Sequence, residues 1–181
     1  YHVDSFLGAL PKFLKQFPDK RGGDKVQIIK NKSEVLHLGL DLERFDEYRS
    51  SDKEKQSEAT ILWNHRWEYD KNPEEFFETL FALKEKEISF KLIVLGEQND
   101  VNPPIFDEAK EKLKEEILHW GYAESFAEYA KWLWRADILP VTSNQDFFGG
   151  SVIEAMYCDC FSLLPNRLAY PEHLPEELDR E

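Results

Sequence analysis

The sequence predicts an α/β fold: a parallel sheet with helices on both faces. Three observations carry this. From Ala59 onward, short apolar runs alternate with longer amphipathic ones, the alternation that crossover helices between parallel strands produce. The longer runs place apolar residues three and four apart, which is the helical period. Two of them open on capping-box sequences, so each helix has a chemical start as well as a pattern.

In chain order, residues from about Ser5 to Phe17 read as a helix, with Pro11 an expected break. "SEVLHLGLD" reads as a short strand ending at Gly39. "DEYRSSDKEKQSE", Asp46 to Glu58, is polar and charged with Tyr48 its one large apolar side chain, and reads as a linker or exposed loop. "ATILW" is the first strand of the regular region. "NPEEFFETLFALKEKE" follows, with Asn72 as N-cap, Pro73 at the first helical position and Glu75 closing a capping box. Phe76, Phe77, Leu80, Phe81 and Leu83 give it an apolar face. "FKLIVLG" is the second strand, and "PIFDEAKEKLKEEIL" the next helix, with Ile105, Ala109, Leu113 and Ile117 on one side. "LHWGY" is a third strand, and "SFAEYAKWLWRA" a helix capped by Ser125 and Glu128. "DILPVTS", "SVIEAMYC" and "FSLLP" complete the pattern as strand, helix and strand. The expected organisation is therefore a separate segment over 1–45, a polar linker over 46–58 and a Rossmann-like domain over 59–181. Beginning on Tyr1, the chain reads as a piece of a longer protein.

Bulk properties narrow the function classes. The 181 residues carry a formal charge of −13, and 41% are hydrophobic, enough for a real core. Such acidity argues against a general nucleic-acid binder, and any phosphate must be met by a local pocket. No apolar run approaches the roughly 18 residues of a membrane helix, so no membrane partner is expected. Cys158 and Cys160 are too close for a comfortable disulfide and too few for a zinc site; reduced thiols and a cytoplasmic location are expected.

In a parallel sheet, ligands bind beyond the carboxyl ends of the strands, where the strand order reverses. That point lies between the first and fourth strands, followed by "NHRWEYDK" and "SNQDFFGG", the two chemically richest loops. They are expected to face each other. Gly149 and Gly150 allow a tight turn and close backbone approach. The helix from about Ser151 then directs free N–H groups and a positive dipole end at an anion such as a diphosphate. Glu154, in the first turn of an otherwise apolar helix, can accept from two ribose hydroxyls, and Asp146 can do the same for a second ring. Singly, Glu154 also suits the helix dipole and Asp146 a strand end; with the glycines and the loop, a ligand is favoured. Arg66 and Lys71 place two cations beyond the first strand, one able to grip a phosphate bidentately, the other a point charge.

Asp146 and Glu154 with the residues between them resemble the E-x7-E motif of retaining GT-B glycosyltransferases, glycosyltransferase family 4 type, with Asp in place of the first Glu. The resemblance extends from about Glu58 to Pro165. "WNHRWEYDK" stands at that family's Arg…Lys diphosphate clamp, and "LIVLGE" and "HWGY" at strand ends beside the nucleotide. It implies the C-terminal lobe of a GT-B fold. Arg66, Lys71 and Asp146 would take catalytic roles, with Asp146 on the transferred sugar. Gly96, Tyr122, Phe148, Gly149, Gly150, Ser151 and Glu154 would bind the nucleotide sugar, Glu154 on its ribose. "ILWNHRWEYDKNPEEFF" and "EAMYCDCFSLLPNRLAYPEHLP" are similar to the tRNA-queuosine α-mannosyltransferase group, which uses GDP-mannose. "ALPKFLKQFPD" and "SEVLHLGLDLERFD" are similar to the end of that group's N-terminal lobe. Asp159 stands where a Gly is usual at the helix end.

The resemblance implies transfer of a hexose with retention, from GDP-mannose to queuosine in tRNA, without a cofactor beyond the donor. The acceptor tRNA would engage through an N-terminal lobe, and this piece alone is expected to bind but not to transfer. No DxD-type acidic pair is present, so metal independence is expected. Two other classes stay open. A nucleotide-cofactor oxidoreductase shares the sheet, but no G-x-G-x-x-G follows the first strand. A noncatalytic nucleotide- or RNA-binding module, or a retaining enzyme with another acceptor, also fits the residues.

Overall fold

The computed structural model describes residues 2–17, 25–50, 58–97 and 102–174. The chain divides at Gly39 into two compact units, residues 1–39 and 40–181.

In the first unit, α1 (His2–Leu14) and α2 (Lys25–Lys30) are the helices described. α1 continues through Pro11, which lies so near the C-terminus that one lost hydrogen bond does not stop the helix. Its buried residue is Leu10. The strand expected over "SEVLHLG" does not form: residues 33–39 are irregular, with Leu36 94% exposed. A strand needs a neighbour for its N–H and C=O groups, and no strand among the described residues pairs with this one.

The second unit holds five parallel strands in the order β3-β2-β1-β4-β5. These are β1 (Ala59–Asn64), β2 (Phe90–Leu95), β3 (Ile117–Gly121), β4 (Ile138–Pro140) and β5 (Phe161–Leu163). Between them run α3 (Pro73–Glu85), α4 (Ile105–Lys112), α5 (Phe126–Arg135) and α6 (Gly150–Tyr157). The alternation read from the sequence is thus realised as an α/β, Rossmann-like parallel sheet. The period-2 side-chain alternation divides its core into two layers. Ile61 and Trp63 of β1 pack with Phe76, Phe77 and Leu80 of α3 and Phe106 of α4. Leu62 joins Ala130 and Leu133 of α5 and Val152 and Ala155 of α6 on the other side. The Trp63 indole stacks on Phe77 at 6.0 Å and meets Phe76 edge-on at 5.0 Å. Each such ring, fully buried, stabilises by about 1.5–3 kcal/mol.

Two local readings change and a third holds. α4 ends at Lys112, and Ile117 begins β3, paired with Leu92. Sheet pairing overrides the helical period there. Asn72 adopts the left-handed conformation (φ 53°) and does not cap α3 through its side chain; its Nδ2 donates instead to Glu75 Oε2 at 2.5 Å. Ser125 does cap α5, accepting from the Glu128 N–H at 3.2 Å.

The unit boundary also lies earlier than composition suggests. A 3-10 turn, Glu43–Tyr48, belongs to the second unit, with Phe45 fully buried and its carbonyl accepting from Trp134 Nε1 at 2.8 Å. Tyr48 packs edge-on to Phe126 at 5.8 Å. Residues 46–48, read as the start of a linker, are anchored by that Tyr48 contact and by Asp46, whose Oδ2 accepts from the Tyr157 hydroxyl at 3.0 Å. Of the expected linker, residues 51–57 lie outside the described residues.

Candidate functional site

The strand order reverses between β1 and β4, and both adjoining loops emerge at their carboxyl ends. Hydrogen bonds staple the two loops together. The backbone N–H groups of Asn144 and Gln145 donate to the Asp70 carbonyl at 2.8 and 3.3 Å. Thr142 Oγ1 donates to the carbonyls of Lys71 and Asn72 at 2.9 and 3.0 Å. A cavity of about 640 Å³ opens between them. Arg66, Lys71, Gly96, Tyr122, Asp146, Gly149, Gly150, Ser151 and Glu154 all line it. Of the expected residues only Phe148 does not; its ring lies edge-on to His173 at 5.6 Å, and its carbonyl accepts from His173 Nε2.

The two cations differ sharply. Arg66 is exposed, and its guanidinium contacts Glu68 Oε1 at 2.8 Å. Lys71 is only 7% exposed. Its ammonium lies 2.8 Å from the Gln145 carbonyl, 3.2 Å from Asp70 Oδ2 and 3.3 Å from Asp146 Oδ2.

The two acids differ as well. Asp146 Oδ1 accepts from the N–H groups of Phe148 and Gly149 at 3.2 and 2.8 Å. Its Oδ2 accepts from Lys71 and from the Tyr170 hydroxyl at 3.2 Å. Burial by itself would raise its pKa, but Lys71 and the two backbone donors hold the carboxyl below its ordinary value. Glu154 Oε2 accepts from the Tyr129 hydroxyl at 2.7 Å, and Oε1 lies 3.4 Å from the Arg44 guanidinium. Burial, then the Glu154 carboxylate, pushes the Tyr129 phenol strongly up, so it remains a donor.

α6 starts one residue earlier than read, at Gly150, with Gly149 before it in the left-handed region (φ 76°). The first N–H groups of a helix have no acceptor within it, and Gly150 and Ser151, which open α6, line the cavity. Gly96 (φ 130°) follows β2, at a point where an added Cβ would stand 2.1 Å from the His65 carbonyl oxygen. That close approach, with Trp63 Nε1 donating to the same oxygen at 2.9 Å, sets the path of the loop after β1.

Several cavity residues escaped sequence reading. Arg44 comes from the turn at 43–48 and stacks 4.0 Å over Phe126. Asn64 donates to the Tyr129 hydroxyl and to the Ser151 carbonyl, both at 3.0 Å. His65 is buried, which together with neighbouring Lys71 lowers its pKa to about 4 and keeps it neutral. One signal was available: an Asn-His pair ending an apolar strand puts polar groups at the strand's carboxyl end. Tyr170 and Arg44 gave none, being 24 and 110 residues from the acids they serve. Among the described residues, no group of three or more His, Cys, Asp or Glu side chains could hold a metal ion. Nor is any described helix long and apolar enough to cross a membrane.

Comparison with known proteins bears on this geometry. Residues 44–174 match the family described as "Glycosyl transferases group 1". Residues 1–40 match "tRNA-queuosine alpha-mannosyltransferase N-terminal". The chain is 34% identical over 183 residues to the tRNA-queuosine alpha-mannosyltransferase of Drosophila melanogaster, covering 98% of this chain but 48% of that protein. Among solved structures, a glycosyltransferase from Rickettsia africae superposes with a TM-score of 0.64 at 19% identity, over 79% of this chain and 40% of that one. The C-terminal domain of a glycosyl transferase group 1 family protein from Francisella tularensis gives 0.54 at 22% identity, over 68% and 69%. At these identities the likeness is one of fold, that of GT-B glycosyltransferases.

Proposed function

This chain belongs to the glycosyl transferases group 1 family, and we propose that its second unit binds the donor, a nucleotide sugar, for transfer with retention. The observation that carries this is the convergence of Arg66, Lys71, the α6 N-terminus and Glu154 on one cavity. Arg66, exposed at the rim, makes the direct contact to the diphosphate. Lys71, behind it, acts as a point charge, and the Gly150 and Ser151 N–H groups complete the anion site. As the glycosidic bond breaks, charge builds on the leaving diphosphate, and fixed donors there lower the barrier; losing one commonly costs about 100- to 1,000-fold in rate. Glu154 takes the ribose hydroxyls. Asp146, also on the cavity wall, takes the transferred sugar in the role that the resemblance implies.

The likeness to the Drosophila enzyme favours mannose as the transferred sugar and queuosine in tRNA as the acceptor; GDP-mannose as donor follows from the family resemblance of the sequence. The chain spans about half of that relative, so transfer itself is assigned to the whole protein. Calorimetry and thermal shift with GDP-mannose, UDP-glucose, NAD, guanosine and tRNA test the reading. GDP-mannose at about 100 times its Kd should stabilise the chain by about 2.7 kcal/mol. Stabilisation by NAD in preference to any nucleotide sugar would replace this reading with a dehydrogenase-type site.

A further inference from the structure

We propose that Tyr129, given its direction by Asn64, is the positioning residue that holds the Glu154 carboxylate in place for the ribose hydroxyls, and so gives the site a preference for ribonucleotides. This role rests on the cleft being a nucleotide-sugar site with Glu154 on the ribose. Three elements meet in it: Asn64 ends β1, Tyr129 lies on α5, and Ser151 and Glu154 lie on α6.

The direction of every hydrogen bond in this chain follows from its first member. A backbone carbonyl only accepts, so the Asn64 atom 3.0 Å from the Ser151 carbonyl is the NH₂ nitrogen. That same nitrogen lies 3.0 Å from the Tyr129 hydroxyl, which therefore accepts from it. The single proton of the hydroxyl then goes to Glu154 Oε2, 2.7 Å away. None is left for a ligand, so Tyr129 acts through Glu154. Asn64 is only 5% exposed, and a hydrogen bond from so buried a group is not readily exchanged for water. The Tyr129 ring is held independently, with Phe45 at 6.1 Å and Phe126 at 6.3 Å. The other contact of Glu154, Arg44 at 3.4 Å, is longer and comes from a half-exposed side chain, where solvent weakens an ion pair. The Tyr129 contact is therefore the one that sets the carboxylate. A moving carboxylate can follow one hydroxyl, but accepting from two neighbouring hydroxyls needs both oxygens in fixed places.

Affinities for two probes, GDP and 2′-deoxy-GDP, measured by calorimetry in wild type, Tyr129→Phe and Asn64→Asp, decide the matter. The wild type should bind GDP the more tightly. Tyr129→Phe keeps the ring packing but removes the proton, so that immobilising the carboxylate falls to the ligand. Its GDP affinity should drop about three- to tenfold, while that for 2′-deoxy-GDP stays within about twofold of wild type. Asn64→Asp puts an acceptor where the hydroxyl had a donor, and the Tyr129 proton turns away from Glu154. The preference for GDP should shrink in the same way, although no atom touching Glu154 has been removed. The ratio of the two affinities is insensitive to partial unfolding, since both probes report the same folded population. A merely structural Tyr129 would change both affinities alike or neither.

An unchanged ratio in Tyr129→Phe, or in Asn64→Asp, would overturn the proposal. Failure of the wild type to bind GDP, or its equal binding of GDP and 2′-deoxy-GDP, would instead remove the reading of the cleft on which the role rests, and the role with it.

Discussion

At Glu154, one carboxylate oxygen takes the Tyr129 hydroxyl and the other faces Arg44, leaving acceptor positions toward the cavity. A carboxylate can accept from both vicinal hydroxyls of a ribose, whereas an amide offers one acceptor oxygen and a donor. Glu154→Gln should therefore lower nucleotide affinity, and a 2′-deoxynucleotide should lose its penalty in the variant; calorimetry with ribo- and deoxyribo-GDP reads this. Equal treatment of both nucleotides by wild type and variant would reduce Glu154 to a partner of Tyr129. Arg66 and Lys71 separate by burial. Arg66→Ala should weaken GDP far more than guanosine, by the about 1.5–3 kcal/mol of a charge-assisted contact, with little change in melting temperature. Lys71→Ala should weaken GDP too, but also leaves Asp70 and Asp146 without their shared cation. Breaking a buried pair costs about 3–5 kcal/mol, so its melting temperature should fall well below that of Arg66→Ala. Equal melting temperatures would show that Lys71 carries no structural charge.

Backbone geometry governs the loops and helix starts. Gly149 stands at φ 76°, and a Cβ there would lie 3.1 Å from Tyr170 Cε1; at Gly150 the nearest atom is 3.8 Å away. Left-handed backbone costs a non-glycine residue about 1–2 kcal/mol, so Gly149→Ala should lower the melting temperature. Gly150→Ala should leave it unchanged or raise it, since Ala suits a helix better. Thermal denaturation of the pair checks this, and similar losses in both would mean that neither space nor φ selects Gly149. The five strands and four helices of the second unit were legible because burial on both sheet faces imposes apolar runs, and amphipathic helices a 3.6 period. Ile117 was misread because it satisfies both periods, and only pairing with Leu92 decides between them. Val35, Leu36 and Leu38 have strand-like composition, but a strand is defined by its neighbour.

Over the whole second unit, buried polar groups tie stability to pH. His65 is held neutral to about pH 4, whereas an unfolded histidine binds its proton near pH 6.5. A depressed folded value gives stability that is fully present above the unfolded one and is lost as pH falls toward the folded one. Between pH 6.5 and about 4 the unfolded state gains a proton that the folded state refuses, at up to about 1.4 kcal/mol per pH unit. Melting temperature should decline through that window, and a His65→Gln variant should show a shallower slope; an equal slope would mean that His65 titrates alike in both states. By itself the sequence determined the sheet and the meeting of its two loops at the strand reversal, because hydrophobic period and chain connectivity are local properties of the chain. It also put Arg66, Lys71, Asp146, Gly149 and Glu154 on those loops. What each of these does about its neighbours was decided only by the tertiary structure. Tyr170 reaches Asp146, Arg44 reaches Glu154, and Asp146 shares Lys71, none of them marked by spacing. A side chain's free lone pairs and its proton affinity depend on every group within a few ångströms, and folding brings those groups from distant parts of the chain.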